Sequence, residues 1–205
     1  MIKLYAYPGA CSLAPHILLE ELGLPYEIKF LKLDDNKMRE EIKKLNPMGQ
    51  VPTMVTEEGY PLTEGVAIMY YLLSKKPNNL FPESGKDRFK AFEWMNFIAT
   101  TLHKAYGPLF RPSAFSDNET HFEVIKRVGL ENMKNLLQVT ESKFPDGDYC
   151  IGENFTVVDA YLFFALNALR LIKLDLAPYK KLNAFMTRMR QRPSVTAALK
   201  QEGLI

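Results

Sequence analysis

The sequence contains few cysteines. Only Cys11 and Cys150 occur among its 205 residues, and they lie far apart in dissimilar sequence contexts. Disulfide frameworks and thiolate metal sites need several cysteines at short spacings, so neither is expected. We therefore expect two reduced thiols and no bound metal.

The sequence also lacks a strong charge imbalance and long apolar runs. It has 26 Lys and Arg residues against 24 Asp and Glu residues, and no basic tract, so nucleic acid is not the expected partner. The apolar stretch AYLFFALNAL from Ala160 is too short to cross a bilayer and predicts a buried helix. The N-terminus MIKLYAY passes directly into strand-like sequence without the pattern of a secretory leader. We therefore expect a cytoplasmic protein with no membrane contact.

The first 76 residues alternate between strand-like and helical patterns. Strand-like IKLYAY and YEIKFLKL flank a helix after Cys11, and a charged helix, a short strand at 53–55, the hairpin turn EEGYPL and a helix from about Glu64 follow. A β-α-β start favours parallel pairing of its strands through a right-handed crossover. The order β-α-β-α-β-β-α predicts a small α/β domain over residues 1–76.

The rest of the chain has helical periodicity. Residues 77–86 predict a linker, because KPNNLFPESG contains two prolines and a glycine. Helices are predicted from Asp87 towards Pro108, from 119 to 144, after Thr156, after 179 and after 194. Thr156 and Asp159 have the spacing of a capping box, and Cys150 is expected to pack as a small apolar residue. The sequence therefore predicts an all-helical domain over residues 87–205.

Cys11 lies where a turn gives way to a helix, in YPGACSLAPHILLEELG. Pro8 and Gly9 break the preceding apolar run, and the helical stripe begins at Leu13. Unpaired N–H groups and the positive end of the helix dipole favour a thiolate there, so we expect the pKa of Cys11 to lie below about 8.5. The alternative is a small apolar residue packed under the start of the helix.

Six motifs carry a resemblance to a known family. They are PGACSLAPHI, NPMGQVP, LTEGVAI, EWMNFIATTLHKAYGPLF, FTVVDAYLF and RPSVTAALKQEGLI, which occur in this order along the chain. Over essentially its full length the sequence resembles a cytosolic glutathione S-transferase of the bacterial beta class. The resemblance implies a thioredoxin-like first domain, glutathione as co-substrate, hydrophobic electrophilic small molecules as second substrates, and a two-fold homodimer.

The resemblance also implies a set of site residues. Cys11 and His103 would be catalytic, and a cis Pro52 would leave the backbone of Val51 free to pair with the glutathione peptide. Without the family, Pro52 is an ordinary trans proline at a strand start. The glutathione site would comprise Ala10, Cys11, Lys37, Gln50, Val51, Pro52, Glu64, Gly65, Asn96, Thr100, His103 and Lys104. The second substrate would meet Tyr106, Phe110 and Phe115.

Several of these residues also have a physical basis for their roles. Backbone N–H groups at a helix start near Gly65 can take an α-carboxylate, and Glu64 can pair with an α-amino group. The alternative is that TEG is only a helix cap. Asn96, Thr100 and His103 recur at helical spacing and predict either a polar cleft wall or a solvated helix face.

The sequence departs from the family at three points. The position of a common tyrosine at the end of the first strand holds Ala6, which argues against a tyrosine-activated thiolate. The segment between Leu33 and Asn46 is short, so Lys37 is the candidate for the glycyl carboxylate, and Met48 replaces a common lysine. His16 and His121 are expected to be structural or surface residues.

The sequence leaves more than one function open. The leading prediction is a transferase that conjugates glutathione to electrophilic small molecules, or that reduces mixed disulfides and peroxides through a Cys11–glutathione disulfide. Since no second cysteine follows Cys11 in a C-x-x-C motif, a second glutathione would have to resolve that disulfide. The alternatives are a non-catalytic binding or partner-platform protein of the same fold, and dehalogenation or isomerisation with glutathione as cofactor.

Overall fold

A four-stranded sheet forms the centre of the first domain. The computed structural model describes residues 1–32 and 35–205, so Leu33, the last residue of the predicted second strand, lies outside it. Strand β1 pairs in parallel with β2, and β3 is antiparallel to both β1 and β4, in the order β2-β1-β3-β4. The strands are β1 (Ile2–Ala6), β2 (Tyr26–Phe30), β3 (Thr53–Val55) and β4 (Pro61–Leu62), and the helices between and after them are α1 (Leu13–Leu22), α2 (Asn36–Leu45) and α3 (Gly65–Leu73). The predicted order of elements and the parallel β1–β2 pair are confirmed.

Helix α1 is buried along most of its length. The side chains of Leu13, Ile17 and Leu18 are 0% exposed, because α3 packs on one part of the helix and the second domain on another. Gly23 ends the helix with φ 59°, a left-handed conformation that glycine adopts at no steric cost. The helix that follows Cys11 therefore joins the cores of the two domains.

The second domain is helical throughout its regular structure. Its α-helices are α4 (Gly85–Phe97), α5 (Gly107–Phe110), α6 (Phe122–Lys143), α7 (Val157–Asn167), α8 (Lys180–Gln191) and α9 (Pro193–Gln201). Every residue of α7 is buried, as its apolar sequence predicts. No helix within the described ranges combines the length and apolarity that crossing a bilayer requires.

The predicted capping box begins α7. The Asp159 carboxylate accepts hydrogen bonds from the backbone N–H groups of Thr156 and Cys150, each at 2.7 Å, and from the Thr156 hydroxyl at 2.8 Å. Asp159 is fully buried, and Cys150 is 4% exposed and packs in the core. The carboxylate thus satisfies N–H donors on the helix start and on the preceding loop, and both predictions are confirmed.

The helix predicted from Asp87 towards Pro108 is not a continuous α-helix. After α4 a π-helical stretch covers Ile98–Leu102, and the His103 N–H donates to the Ile98 carbonyl, five residues earlier, at 2.9 Å. A 3-10 turn at Lys104–Tyr106 and the short α5 follow. The extra residue in the π turn rotates the positions after it relative to Asn96 and Thr100.

Two polar links, one partly and one fully buried, join the C-terminal helices to the first domain. Arg192 Nε donates to Glu21 Oε2 at 2.8 Å. The Glu202 carboxylate accepts from the Gly9 N–H at 2.7 Å and lies 2.9 Å from His16 Nδ1, with both side chains 0% exposed. His16 is therefore structural, as expected. Because Gly9 belongs to the turn before Cys11, the C-terminus of the chain helps to hold that turn.

Candidate functional site

Cys11 sits in a turn with fixed backbone geometry. The Ala10 N–H donates to the Tyr7 carbonyl at 3.0 Å, and the Ser12 hydroxyl accepts from the Tyr7 N–H at 3.1 Å. Helix α1 begins at Leu13, so Cys11 directly precedes the N-cap residue Ser12. The Cys11 thiol donates to the Val51 carbonyl, with 3.2 Å between sulfur and oxygen. The position at the start of the helix is as predicted.

The acidity predicted for Cys11 is wrong. Burial is the largest influence, and it raises the pKa of the thiol to about 11. The N–H groups of Cys11 and Ser12 lower the pKa, as expected at a helix start, and the Lys104 charge also lowers it, whereas Glu64 raises it. Removal of the sulfur from water outweighs the helix terminus. Cys11 is therefore a neutral thiol at pH 7 and a hydrogen-bond donor.

The loop before β3 presents the backbone of Val51 to the same cavity. The Val51–Pro52 peptide bond is cis, as the family resemblance implies. The buried Asn46 side chain donates to the Gln50 carbonyl at 3.0 Å and to Thr53 Oγ1 at 3.1 Å. These two hydrogen bonds from a buried side chain fix the conformation of the loop. Since the β1–β3 ladder begins at Thr53, the backbone of Val51 remains outside the sheet.

Glu64 and Gly65 line the same cavity at the start of α3. Glu64 has φ 65°, an unusual conformation for a residue with a side chain, and it occupies the N-cap position without a side-chain cap. Backbone strain of this kind costs on the order of 1 to 3 kcal/mol and concentrates at functional sites. The strained turn leaves the Glu64 carboxylate and the first N–H groups of α3 available to a ligand.

The second domain supplies the other wall. His103, Lys104, Ala99 and Tyr161 join residues of the first domain around a cavity of about 650 Å³. Burial, and then the nearby Lys104 charge, lower the pKa of His103, which favours the neutral imidazole. Burial is the largest influence on the Tyr161 hydroxyl and raises its pKa, and the Glu64 charge acts in the same direction, so the hydroxyl stays a donor. The wall holds one ammonium group and two neutral polar groups near Cys11.

A wider groove of about 1240 Å³ continues outward from this cavity. Tyr106 and Phe110 line it with rings stacked at 5.3 Å between centroids, and Tyr7 and Arg111 also line it. The Tyr106 hydroxyl donates to the Ala165 carbonyl at 2.6 Å, and the residue is only 3% exposed, so its ring supports the exposed ring of Phe110. The groove can therefore hold an aromatic compound next to the sulfur site.

The structure does not bring four predicted residues to the site. Lys37 lies with Glu40 and Lys44 around a separate, shallow depression on α2. Asn96 and Thr100 are exposed and line neither cavity, and the π turn, which includes Thr100, changes the direction of His103 and Lys104 relative to Asn96. Phe115 is 58% exposed and lies outside both cavities. Helical spacing correctly grouped Asn96 with Thr100 but could not reveal the change of winding.

Four polar lining residues are absent from the set predicted from the sequence: Tyr7, Asn46, Tyr161 and Arg111. Tyr161 lies in an apolar helix that was interpreted only as core, although its hydroxyl in the motif FTVVDAYLF was a possible signal. Ala6 is fully buried, and the Tyr5 hydroxyl donates to Glu41, so neither lines the site. Tyr7 follows the end of β1, where strand alternation no longer determines its direction.

The described part of the site holds no cluster of metal-ligating side chains. Within the ranges 1–32 and 35–205, no three His, Cys, Asp or Glu side chains come together as a metal-binding group. The polar groups around Cys11 are instead an ammonium, a carboxylate, N–H donors and neutral hydroxyl, thiol and imidazole groups. They are suited to a zwitterionic peptide with a sulfur atom.

Comparison with known proteins assigns the two domains. The family model of the glutathione S-transferase N-terminal domain matches residues 1–74, and that of the glutathione S-transferase C-terminal domain matches residues 97–193. The chain is 41% identical over 207 residues to glutathione S-transferase GstA of Escherichia coli O157:H7, an alignment that covers 99% of this chain and 100% of that protein.

Solved structures with the same fold include one with bound glutathione. A glutathione transferase homologue from Sulfitobacter, with bound glutathione, has a TM-score of 0.91 and 31% identity and covers 100% of this chain and 99% of its own. The bacterial beta-class glutathione S-transferase of Sphingomonas chungbukensis has a TM-score of 0.87 and 35% identity, with 99% of this chain and 100% of its own covered.

Proposed function

The chain belongs to the glutathione S-transferase family, and we propose that it conjugates glutathione to electrophilic small molecules in the cavity around Cys11. The γ-glutamyl end binds at the start of α3, with its α-amino group on Glu64 and its α-carboxylate on the N–H groups after it. The peptide backbone pairs with Val51. Lys104 takes the glycyl carboxylate, because it is the lysine that lines both parts of the site in the described residues.

These contacts direct the sulfur of glutathione towards Cys11 and the second domain. The Cys11 thiol and the Tyr161 hydroxyl are protonated, and both can donate hydrogen bonds to a glutathione thiolate. In conjugation the thiol proton leaves to solvent, the sulfur attacks the electrophilic carbon, a C–S bond forms and the bond to the leaving group breaks. Donors fixed beside the sulfur favour the thiolate that attacks. His103 is a neutral neighbour that orients the sulfur.

One observation carries this proposal: Cys11, Val51, Glu64 and His103 line one cavity although they come from four separate segments of the chain. The test uses Glu64→Gln, with Glu58→Gln as a control at an exposed carboxylate elsewhere in the first domain. We expect the KM for glutathione to rise at least tenfold in Glu64→Gln, because a charge-assisted hydrogen bond is lost. An unchanged KM would contradict the assignment of this cavity to glutathione.

The same site supports a second, weaker activity through Cys11. A Cys11 thiolate can attack a glutathione mixed disulfide, form a Cys11–glutathione disulfide and release the other thiol, after which a second glutathione restores Cys11 and leaves as oxidised glutathione. The raised pKa of Cys11 makes this step slow at neutral pH. Cys11→Ala should abolish mixed-disulfide reduction while glutathione binding survives and conjugation falls only in part. Intact reductase activity would show that Cys11 does not act as a nucleophile.

A non-catalytic carrier of the same fold is the alternative. A ligand-binding platform has no need for sulfur-directed donors beside the peptide site, which favours the enzyme. Retention on immobilised glutathione together with turnover of an electrophile supports the transferase. Retention without turnover of any electrophile tested supports the carrier.

The proposal includes a two-fold homodimer in which the first domain of each chain meets the helical domain of the other. Phe89 on α4 is 73% exposed, and a large exposed aromatic side chain of this kind suits an isologous contact. Sedimentation at micromolar concentration should give twice the chain mass of 23.5 kDa. A monomer mass would contradict the dimer. A role in detoxification in the cytoplasm is part of the same proposal, and cell fractionation tests the location.

A further inference from the structure

Arg111 is an exposed cation beside the groove for the second substrate. Its guanidinium has no hydrogen-bonding or ion-pair partner among the residues that the structure describes, and the side chain is exposed. Its backbone, by contrast, is held on both sides. The Arg111 N–H donates to the Gly107 carbonyl at 2.9 Å, and the Arg111 carbonyl accepts from the Ala114 N–H at 3.0 Å. The base of the side chain is therefore fixed, and no residue in the ranges 1–32 and 35–205 pairs with its charged end.

The groove has a positive charge that its own side chains do not neutralise. Its described lining residues include Lys104 and Arg111 but no aspartate or glutamate. Cys11 and His103, which also line it, are uncharged at pH 7, because burial raises the pKa of the first and lowers that of the second. An arginine fork without a carboxylate partner suits a planar anion such as a carboxylate on a ligand.

Glutathione does not account for this charge. On the proposed function, Glu64 meets the α-amino group, the start of α3 meets the α-carboxylate, and Lys104 meets the glycyl carboxylate. Each charged group of the peptide then has a partner, and Arg111 has none. Arg111 also lines only the outer groove, whereas Lys104 lines both the inner cavity and the groove.

We infer that the second substrates of this enzyme are aromatic electrophiles that bear a carboxylate, with the ring against Phe110 and the carboxylate on Arg111. Phe110 is 46% exposed, stacks on the buried Tyr106 and directly precedes Arg111 in the chain, and both residues line the groove, so an apolar surface and a cation lie next to each other. The reaction is the conjugation described above: a C–S bond forms, and the leaving group departs as an anion. The inference rests on the proposed function and adds the charge of its substrate.

The test compares two electrophiles with the same ring and leaving group, a chlorodinitrobenzoate and its uncharged methyl ester. We expect wild-type protein to have about a tenfold lower KM for the carboxylate than for the ester, and Arg111→Gln to remove this difference by raising the KM for the carboxylate. Arg111→Lys should recover only part of it, because lysine lacks the planar fork. The matched control is Arg127→Gln on α6, an exposed arginine 3.1 Å from Glu131, which should change neither KM.

Three results would overturn the inference: equal KM values for acid and ester in wild-type protein, an equal effect of Arg111→Gln on both, or a rise in the KM for glutathione itself, which would assign Arg111 to the peptide. If wild-type protein turned over neither electrophile, the proposed function would fail instead. The unreactive dinitrobenzoate, which lacks the leaving group, would still test Arg111 by calorimetry. Equal affinity for it in wild-type protein and Arg111→Gln contradicts the inference, and about tenfold weaker binding to the variant supports it.

Discussion

Cys11 should react with iodoacetamide far more slowly at neutral pH than its position before a helix suggests. The thiolate is the reactive form, and the buried sulfur, which donates to the Val51 carbonyl, has its pKa raised to about 11. Roughly one molecule in a thousand then carries the thiolate at pH 8, compared with about a quarter for a free cysteine of pKa near 8.5. Alkylation should be about 200-fold slower on this account alone, and its rate should rise about tenfold per pH unit between 7 and 10.

The second cysteine of the protein, Cys150, does not interfere with this assay. Cys150 is 4% exposed, and burial raises the pKa of its thiol well above the ordinary value. Mass spectrometry of the labelled peptides therefore follows Cys11 alone, and Cys11→Ser checks that no label reaches Cys150. Half-maximal reactivity below pH 9 would refute the view that burial outweighs the helix terminus.

Two charged neighbours provide matched variants with effects of opposite sign. Glu64 raises the pKa of Cys11 and Lys104 lowers it. Glu64→Gln should therefore shift the alkylation profile towards lower pH, and Lys104→Gln should shift it towards higher pH. If both variants moved the profile in the same direction, a structural change rather than charge would be the cause.

Asp159→Ala should lower the free energy of unfolding by about 3 kcal/mol in urea titration, since two buried N–H donors lose their acceptor; a loss below about 1 kcal/mol would contradict the capping role. Glu202→Ala should lower the free energy of unfolding by about 3 kcal/mol or more, because it leaves the buried Gly9 N–H without a partner. It should also lower activity, and unchanged activity would show that this carboxylate does not position the turn before Cys11. The pKa of His103 is lowered in the folded state, so the unfolded chain binds its proton first and stability falls as the pH decreases below about 6.5. His103→Gln should therefore lose less stability than wild type between pH 6.5 and 5 in melting experiments, and equal losses would contradict this. Tyr161→Phe should lower kcat/KM for conjugation roughly two- to tenfold without lowering Tm. An unchanged kcat/KM would show that the Tyr161 hydroxyl does not interact with the sulfur of glutathione.

Local signals in the sequence were sufficient to predict the order of secondary-structure elements and several site residues. The turn at Gly9, the helix after Cys11, the hairpin before α3 and the capping box at Asp159 each depend on residues a few positions apart. Hydrogen bonds and side-chain periodicity over such short distances can be recognised in the local sequence, although packing stabilises the elements. The family motifs added the cis Val51–Pro52 bond, which spacing alone does not reveal.

The pKa of Cys11 and the residues that line the outer groove depend on the tertiary structure and could not be predicted from the sequence. The sequence indicates that Cys11 precedes a helix, but the opposing effect of burial depends on atoms contributed by distant segments that the fold packs around the sulfur. The π turn at Ile98–Leu102 likewise separates Asn96 from His103, although a regular helix would align them. Desolvation and Coulomb interactions depend on distance in space and not on separation along the chain, which is why Tyr161 and Arg111 became visible as site residues only in the folded protein.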